Sequence, residues 1–124
     1  MKKIIAIVAV SLFLAPAAFA AGTTGTITLS LTSTGLSLYG AKGTSADNTS
    51  PLIGKTSTGV GVGVDTASAG YSIITQHKNG SKVYGSSFDS TSIYSNDVTA
   101  GTAYSTTLTT GSDSFAAGSG WTTM

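Results

Sequence analysis

The sequence predicts an all-β protein, a small antiparallel sandwich or open barrel-like sheet of six to eight short strands that follows a cleaved signal peptide. Three observations carry this reading. Residues 25–32 (GTITLSLT) alternate strictly, with Ile27, Leu29 and Leu31 on one face and Thr26, Thr28, Ser30 and Thr32 on the other, the period of a half-buried strand. Two strand-like runs flank Asn79-Gly80, the favoured pair for a two-residue hairpin loop of type I′. Threonine is abundant alongside Val, Ile and 5 tyrosines, which suit a pleated surface, and no segment sustains a 3.6-residue period.

The 124-residue chain begins with Met1-Lys2-Lys3, continues in an apolar run over residues 4–14 that Pro16 breaks, and places the small residues Ala18 and Ala20 around a cleavage site. These are the three regions of a secretory signal, and the apolar run is too short for the roughly 20 residues of a membrane-spanning helix. Residues 1–20 are therefore read as a signal peptide and 21–124 as one exported domain, periplasmic, at the cell surface or extracellular. No membrane span is expected after cleavage. The absence of cysteine means that neither disulfides nor a lipid thioether can stabilise or anchor it.

Composition excludes several function classes. From Ala21 onward four lysines face five aspartates, with no arginine and no glutamate, so the +1 of the whole chain becomes a slight negative charge. Without an arginine fork or a lysine cluster, nucleic acid is not an expected partner. Glycine, serine and threonine make up more than half of the residues after Ala20, and large aliphatic groups are few. Each buried apolar side chain contributes roughly 1.5–3 kcal/mol and each ordered residue costs about 1–2, so the core is thin. Stability must lean on a dense strand ladder or on association.

Taken in order, residues 25–32 form the first strand and 36–39 a short second one. Residues 40–51 hold turn formers and lysine, and read as a loop. Residues 59–64 (GVGVGV) make a strand with one bare face, which calls for another chain segment lying against it. In the hairpin over residues 71–88, a two-residue loop pairs His77 with Lys82, Thr75 with Tyr84, Ile73 with Ser86 and Tyr71 with Phe88. That face holds Tyr71, Tyr84 and Phe88, and is the expected core face. Residues 92–95 and 102–110 read as later strands, separated by turn residues Asn96-Asp97 and by Gly101. The tail from Gly111 reads as loosely organised, with Phe115 and Trp121 as the residues that would tie it down. Residues 25–35 resemble 101–111, although no fixed-period repeat is present.

The motifs that could carry chemistry are weak. Gly54-Lys55-Thr56 matches the end of a phosphate-binding loop, but Thr49 stands where the first glycine belongs, and Ser57-Thr58-Gly59-Val60 does not open a helix. The bland reading is a lysine in a glycine-rich turn. His77, the only histidine, lacks an activating serine elbow and reads as a half-exposed strand end. Asp47-Asn48 and Asn96-Asp97 lack calcium-loop spacing and read as turn residues. No catalytic residue, metal ligand or cofactor is expected. The leading expectation is a non-enzymatic structural or interaction protein that pairs with itself or another surface protein, with Ile27, Leu29 and Leu31 on an assembly strand. The alternative is a monomeric module that binds a small ligand or glycan, with Tyr39, Tyr84, Tyr94 and Trp121 as stacking groups.

The expected N-terminus of exported material is Ala21. Mass spectrometry of the secreted or periplasmic fraction checks this, and a chain that keeps residues 1–20 there would refute it.

Overall fold

The computed structural model describes residues 25–31, 34–40, 49–67 and 70–124. The signal-peptide reading of residues 1–20, and Asp47-Asn48, lie outside them. The described chain is mostly β, with all pairing antiparallel. Nine strands are found among the described residues, against the six to eight expected: β1 Gly25–Thr28, β2 Ser37–Tyr39, β3 Leu52–Lys55, β4 Val60–Ala67, β5 Gly70–His77, β6 Lys82–Ser87, β7 Tyr94–Asp97, β8 Ser105–Leu108 and β9 Thr122–Thr123. A single 3-10 turn, Ser112–Phe115, lies between β8 and β9.

The strands form a five-stranded sheet in the order β4-β5-β6-β7-β9 and two ribbons, β1-β8 and β2-β3. The expected hairpin register is present, with Thr75 opposite Tyr84 and Ile73 opposite Ser86. The loop is not a type I′ turn. Positive φ among the described residues is confined to Gly59, Gly101, Gly111, Gly118 and Gly120, so neither Asn79 nor Gly80 adopts the required conformation. Gly80 N–H instead donates to His77 O at 2.8 Å. The loop residues bond to their neighbours: Lys78 N–H reaches Gly59 O, Gly101 N–H reaches Lys78 O, and Val98 N–H reaches Ser81 O. With those backbone groups engaged outside the hairpin, a tight two-residue closure gives way to a wider loop.

The core lies on the hairpin face opposite to the expected one. Ser72, Ile74 and Gln76 of β5 and Val83, Gly85 and Ser87 of β6 are buried, whereas Tyr71, Tyr84 and Phe88 are exposed. Leu29, Ile74, Val83, Leu108, Phe115 and Trp121 form the main buried cluster, with Ile27, Leu31, Tyr94, Val98 and Tyr104 packed against it. The reason is polar as much as apolar. Gln76 donates to Thr102 O at 2.8 Å and accepts from Tyr104 N–H at 2.9 Å. Ser72 Oγ donates to Thr109 O or Gly111 O and accepts from Gly111 N–H. These two side chains satisfy the chain on either side of β8, where it has left any ladder and has no water to bond.

The β1-β8 ribbon lies over the same face. The bare face of residues 59–64 is covered as the sequence requires. A Cβ on Gly63 would stand 2.6 Å from Ile27 Cγ2, and one on Gly61 would stand 2.9 Å from Ser30 O. Ile27, Leu29 and Leu31 therefore all turn inward, although the strand stops at Thr28 and Leu29 N–H bonds instead to Tyr104 O. The two similar stretches become partners, since β1 pairs with β8 from Gly25–Leu108 to Thr28–Ser105.

Replacing Gln76 with Met is expected to destabilise the protein by about 1–3 kcal/mol while making the core more apolar, because Thr102 O and Tyr104 N–H lose their partner. Gly80→Ala, with no positive φ to relieve, should cost less than about 1 kcal/mol. Urea unfolding of both variants checks the pair, and a neutral Gln76→Met would overturn the account of the core.

Candidate functional site

The outer face of the five-stranded sheet is exposed at its aromatic groups and closed at Val62, which is buried. Alternation along each strand places Val60, Val62 and Val64 of β4, Tyr71, Ile73 and Thr75 of β5, and Tyr84 and Ser86 of β6 on that face. Phe88 follows β6 opposite Tyr71, and its N–H donates to Tyr71 O. The Tyr71 and Phe88 rings sit 6.4 Å apart and tilted by 54°. Tyr71, Tyr84 and Phe88 are 45%, 39% and 47% exposed. Charge is confined to the end of the face near the hairpin loop, where Lys82 and Asp97 pair at 2.7 Å. The hydrogen bond to Asp97 raises the Lys82 pKa, and the pair is solvated and screened.

The residues nominated as stacking groups separate into two environments. Trp121 is buried, with its ring edge-on to Phe115 at 4.9 Å and to Tyr104 at 5.8 Å. Tyr94 is half-buried and stacks on Phe115 at 4.7 Å, its hydroxyl bonded to Ser90 Oγ. Tyr39 is half-buried in β2. Of the four, only Tyr84 is openly accessible. Tyr71 and Phe88, which the alternation of the sequence places in the core, join it on the exposed face. Phe115 and Trp121 do tie down the tail, and β9 completes the sheet by pairing with β7.

The remaining motifs have structural roles. Gly54 and Lys55 belong to β3 rather than to a turn. Thr56 Oγ1 accepts Leu36 N–H and donates to Val60 O, which locks the β2-β3 ribbon to the start of β4. Asn96 and Asp97 lie in β7, not in a turn: Asn96 Nδ2 donates to the Tyr104 hydroxyl, and Asp97 holds Lys82. The reason is that β6 extends far enough to pair with both. His77 ends β5, exposed, with Nδ1 accepting Asn79 N–H at 3.2 Å. Among the described residues no group of three or more His, Asp or Glu is placed to hold a metal, and no helix is long and apolar enough to cross a membrane.

Two carboxyls depart from the usual range. Asp89 is held low, first by the backbone N–H of Ser112, whose hydroxyl also donates to it at 3.0 Å, and this fastens the 3-10 turn to the end of β6. Asp65, on the inner face of β4, is 3% exposed, and burial pushes its carboxyl above 3.8 while the Thr66 N–H pulls the other way. The folded state therefore favours the protonated form. Its contribution to stability is fully present below 3.8 and is lost as pH rises through the raised value. Asp65→Asn should accordingly raise the melting temperature at pH 7 and change it little near pH 3. Thermal unfolding at the two pH values checks this, and an equal shift at both would contradict it.

Comparison with protein-family models, with curated proteins and with solved structures finds no match.

Proposed function

We propose that this chain is an exported, non-enzymatic structural or interaction protein of the periplasm or cell surface, which associates with copies of itself or another surface protein through its five-stranded sheet. The observation that carries this reading is the outer face. A chain with few large apolar groups leaves Tyr71, Tyr84 and Phe88 accessible while it fills its core with Ser72, Gln76 and Ser87. Exposed aromatic groups that share one sheet face mark an interaction surface more often than a stability element. The β1-β8 ribbon over the opposite face supports reading the architecture as a small, uneven sandwich with one sheet covered on one side. Export rests on the signal-like residues 1–20.

A second reading has its own observation. Tyr84 stands alone on the sheet, away from the Tyr71–Phe88 pair, with Thr75 and Ser95 opposite it on the neighbouring strands. An isolated ring flanked by hydroxyls suits stacking against a sugar face, and supports a monomeric glycan-binding module.

Light scattering during size exclusion separates the two. Self-association is expected to give species heavier than one chain, and Tyr71→Ser with Phe88→Ser should reduce them without lowering the unfolding midpoint. A monomer at all concentrations that binds oligosaccharides, and loses binding in Tyr84→Ala, would replace the first reading with the second.

A further inference from the structure

The β4 edge supplies the geometry for a specific contact. Lys78 N–H donates to Gly59 O, so Gly59 and Lys78 form a hydrogen-bonded pair at the mouth of the β4-β5 ladder. In an antiparallel ladder bonded and non-bonded pairs alternate. Residues 61, 63 and 65 therefore direct their backbone groups towards β5, and residues 60, 62, 64 and 66 direct theirs away from the sheet. At Val60 the outward groups are closed within the chain, N–H to Ser57 O and C=O to the Thr56 hydroxyl. At Val62 and Val64 the outward N–H and C=O have no partner among the described residues, while the Thr66 N–H is turned to the Asp65 carboxyl.

We infer that β4 pairs antiparallel with β4 of a second copy about a two-fold axis at Val64, joining two five-stranded sheets into one. This rests on the self-association proposed above and names its site. The open groups fix the register. Pairing that sets Val64 against Val64, and Val62 against Thr66, uses the open groups of Val62 and Val64 and leaves the closed groups of Val60 aside. In that register Asp65 lies across from Gly63 of the other copy, so the only charge on the strand does not meet its own image. Val64 of both copies extends the outer apolar face across the junction. The opposite edge does not compete, since β9 has only two residues, and edges that short resist strand addition.

The chain contains no cysteine, which makes single-cysteine cross-linking direct. In purified exported protein, mild oxidation or a short bismaleimide should give a covalent dimer with Val64→Cys, which meets itself on the axis. Val62→Cys should give none, because its own copy lies four positions along the strand. Val64→Pro should abolish dimers: it removes an N–H that serves no bond within the chain, and proline is tolerated on such an edge. Circular dichroism confirms that each variant is folded. If Val64→Pro does not fold, Val64→Lys sets two ammonium groups face to face and serves instead. Oligomers in the unaltered protein, with no Val64→Cys dimer or with equal linking at Val62, would overturn the β4 contact and leave association standing. A wholly monomeric protein would overturn both.

Discussion

Everything on the inner face depends on how β5 grips the chain around β8. Ser72 and Gln76 lie two residues either side of Ile74, on the same face of the central hairpin. Gln76 fixes the approach to β8 at Thr102 and Tyr104, and Ser72 fixes its exit at Thr109 and Gly111. Between these clamps Leu108 settles with Ile74 in the core. Because β8 is located, β1 is located as its partner, and Leu29 follows. Because the exit at Gly111 is located, the 3-10 turn delivers Phe115 beneath β6 and the tail brings Trp121 to it. Buried polar groups left half-satisfied would weaken such a core, whereas fully paired they specify one arrangement of it.

Absent side chains do the complementary work. The second layer approaches the sheet closely at Gly61, Gly63 and Gly85, where a Cβ would strike Ser30 and the Leu29 side chain, Ile27, and the Phe115 ring respectively. A chain with few large apolar residues gains contact by moving backbone and ring together instead of filling the space between layers with methyl groups. Dispersion falls off steeply with separation, so this close approach recovers packing that composition alone would deny.

These two devices decide what was legible in the sequence. The alternation over residues 25–32 and the valine-glycine alternation over 59–64 reveal strands and the need for a covering segment, because both signals are local and periodic. The hairpin register survives even though its turn chemistry differs, since complementary strand lengths define it as well as the loop does. The core face does not survive. Counting rings favours the side with Tyr71, Tyr84 and Phe88, while Ser72 and Gln76 look solvent-facing until their partners some thirty residues away are in place. The same long-range dependence hides β3, whose partner β2 supplies its ladder, and places Asn96 and Asp97 in a strand despite their turn-forming character. Of the stacking candidates, Tyr84 alone remains accessible, and its two aromatic companions on that face carried no signal that distinguishes them from core residues.

The choice of inner face also decides which apolar groups of the chain stay accessible. Read alone, residues 25–32 look like a strand that could complete a neighbour's sheet, uncharged and rich in β-formers. In the fold, Ile27, Leu29 and Leu31 are already engaged with their own sheet, so their apolar row offers nothing to a partner. Among the described residues, what stays open is the side that carries Tyr71, Tyr84 and Phe88, together with the Val62 and Val64 backbone groups on the edge beside it. The groups that fix the interior thus determine the exterior: by taking the inner face for glutamine, serine and glycine, the fold obliges its rings to face out. Association through β1 would have to dismantle the core, whereas association through β4 and the outer face adds to the sheet without disturbing it.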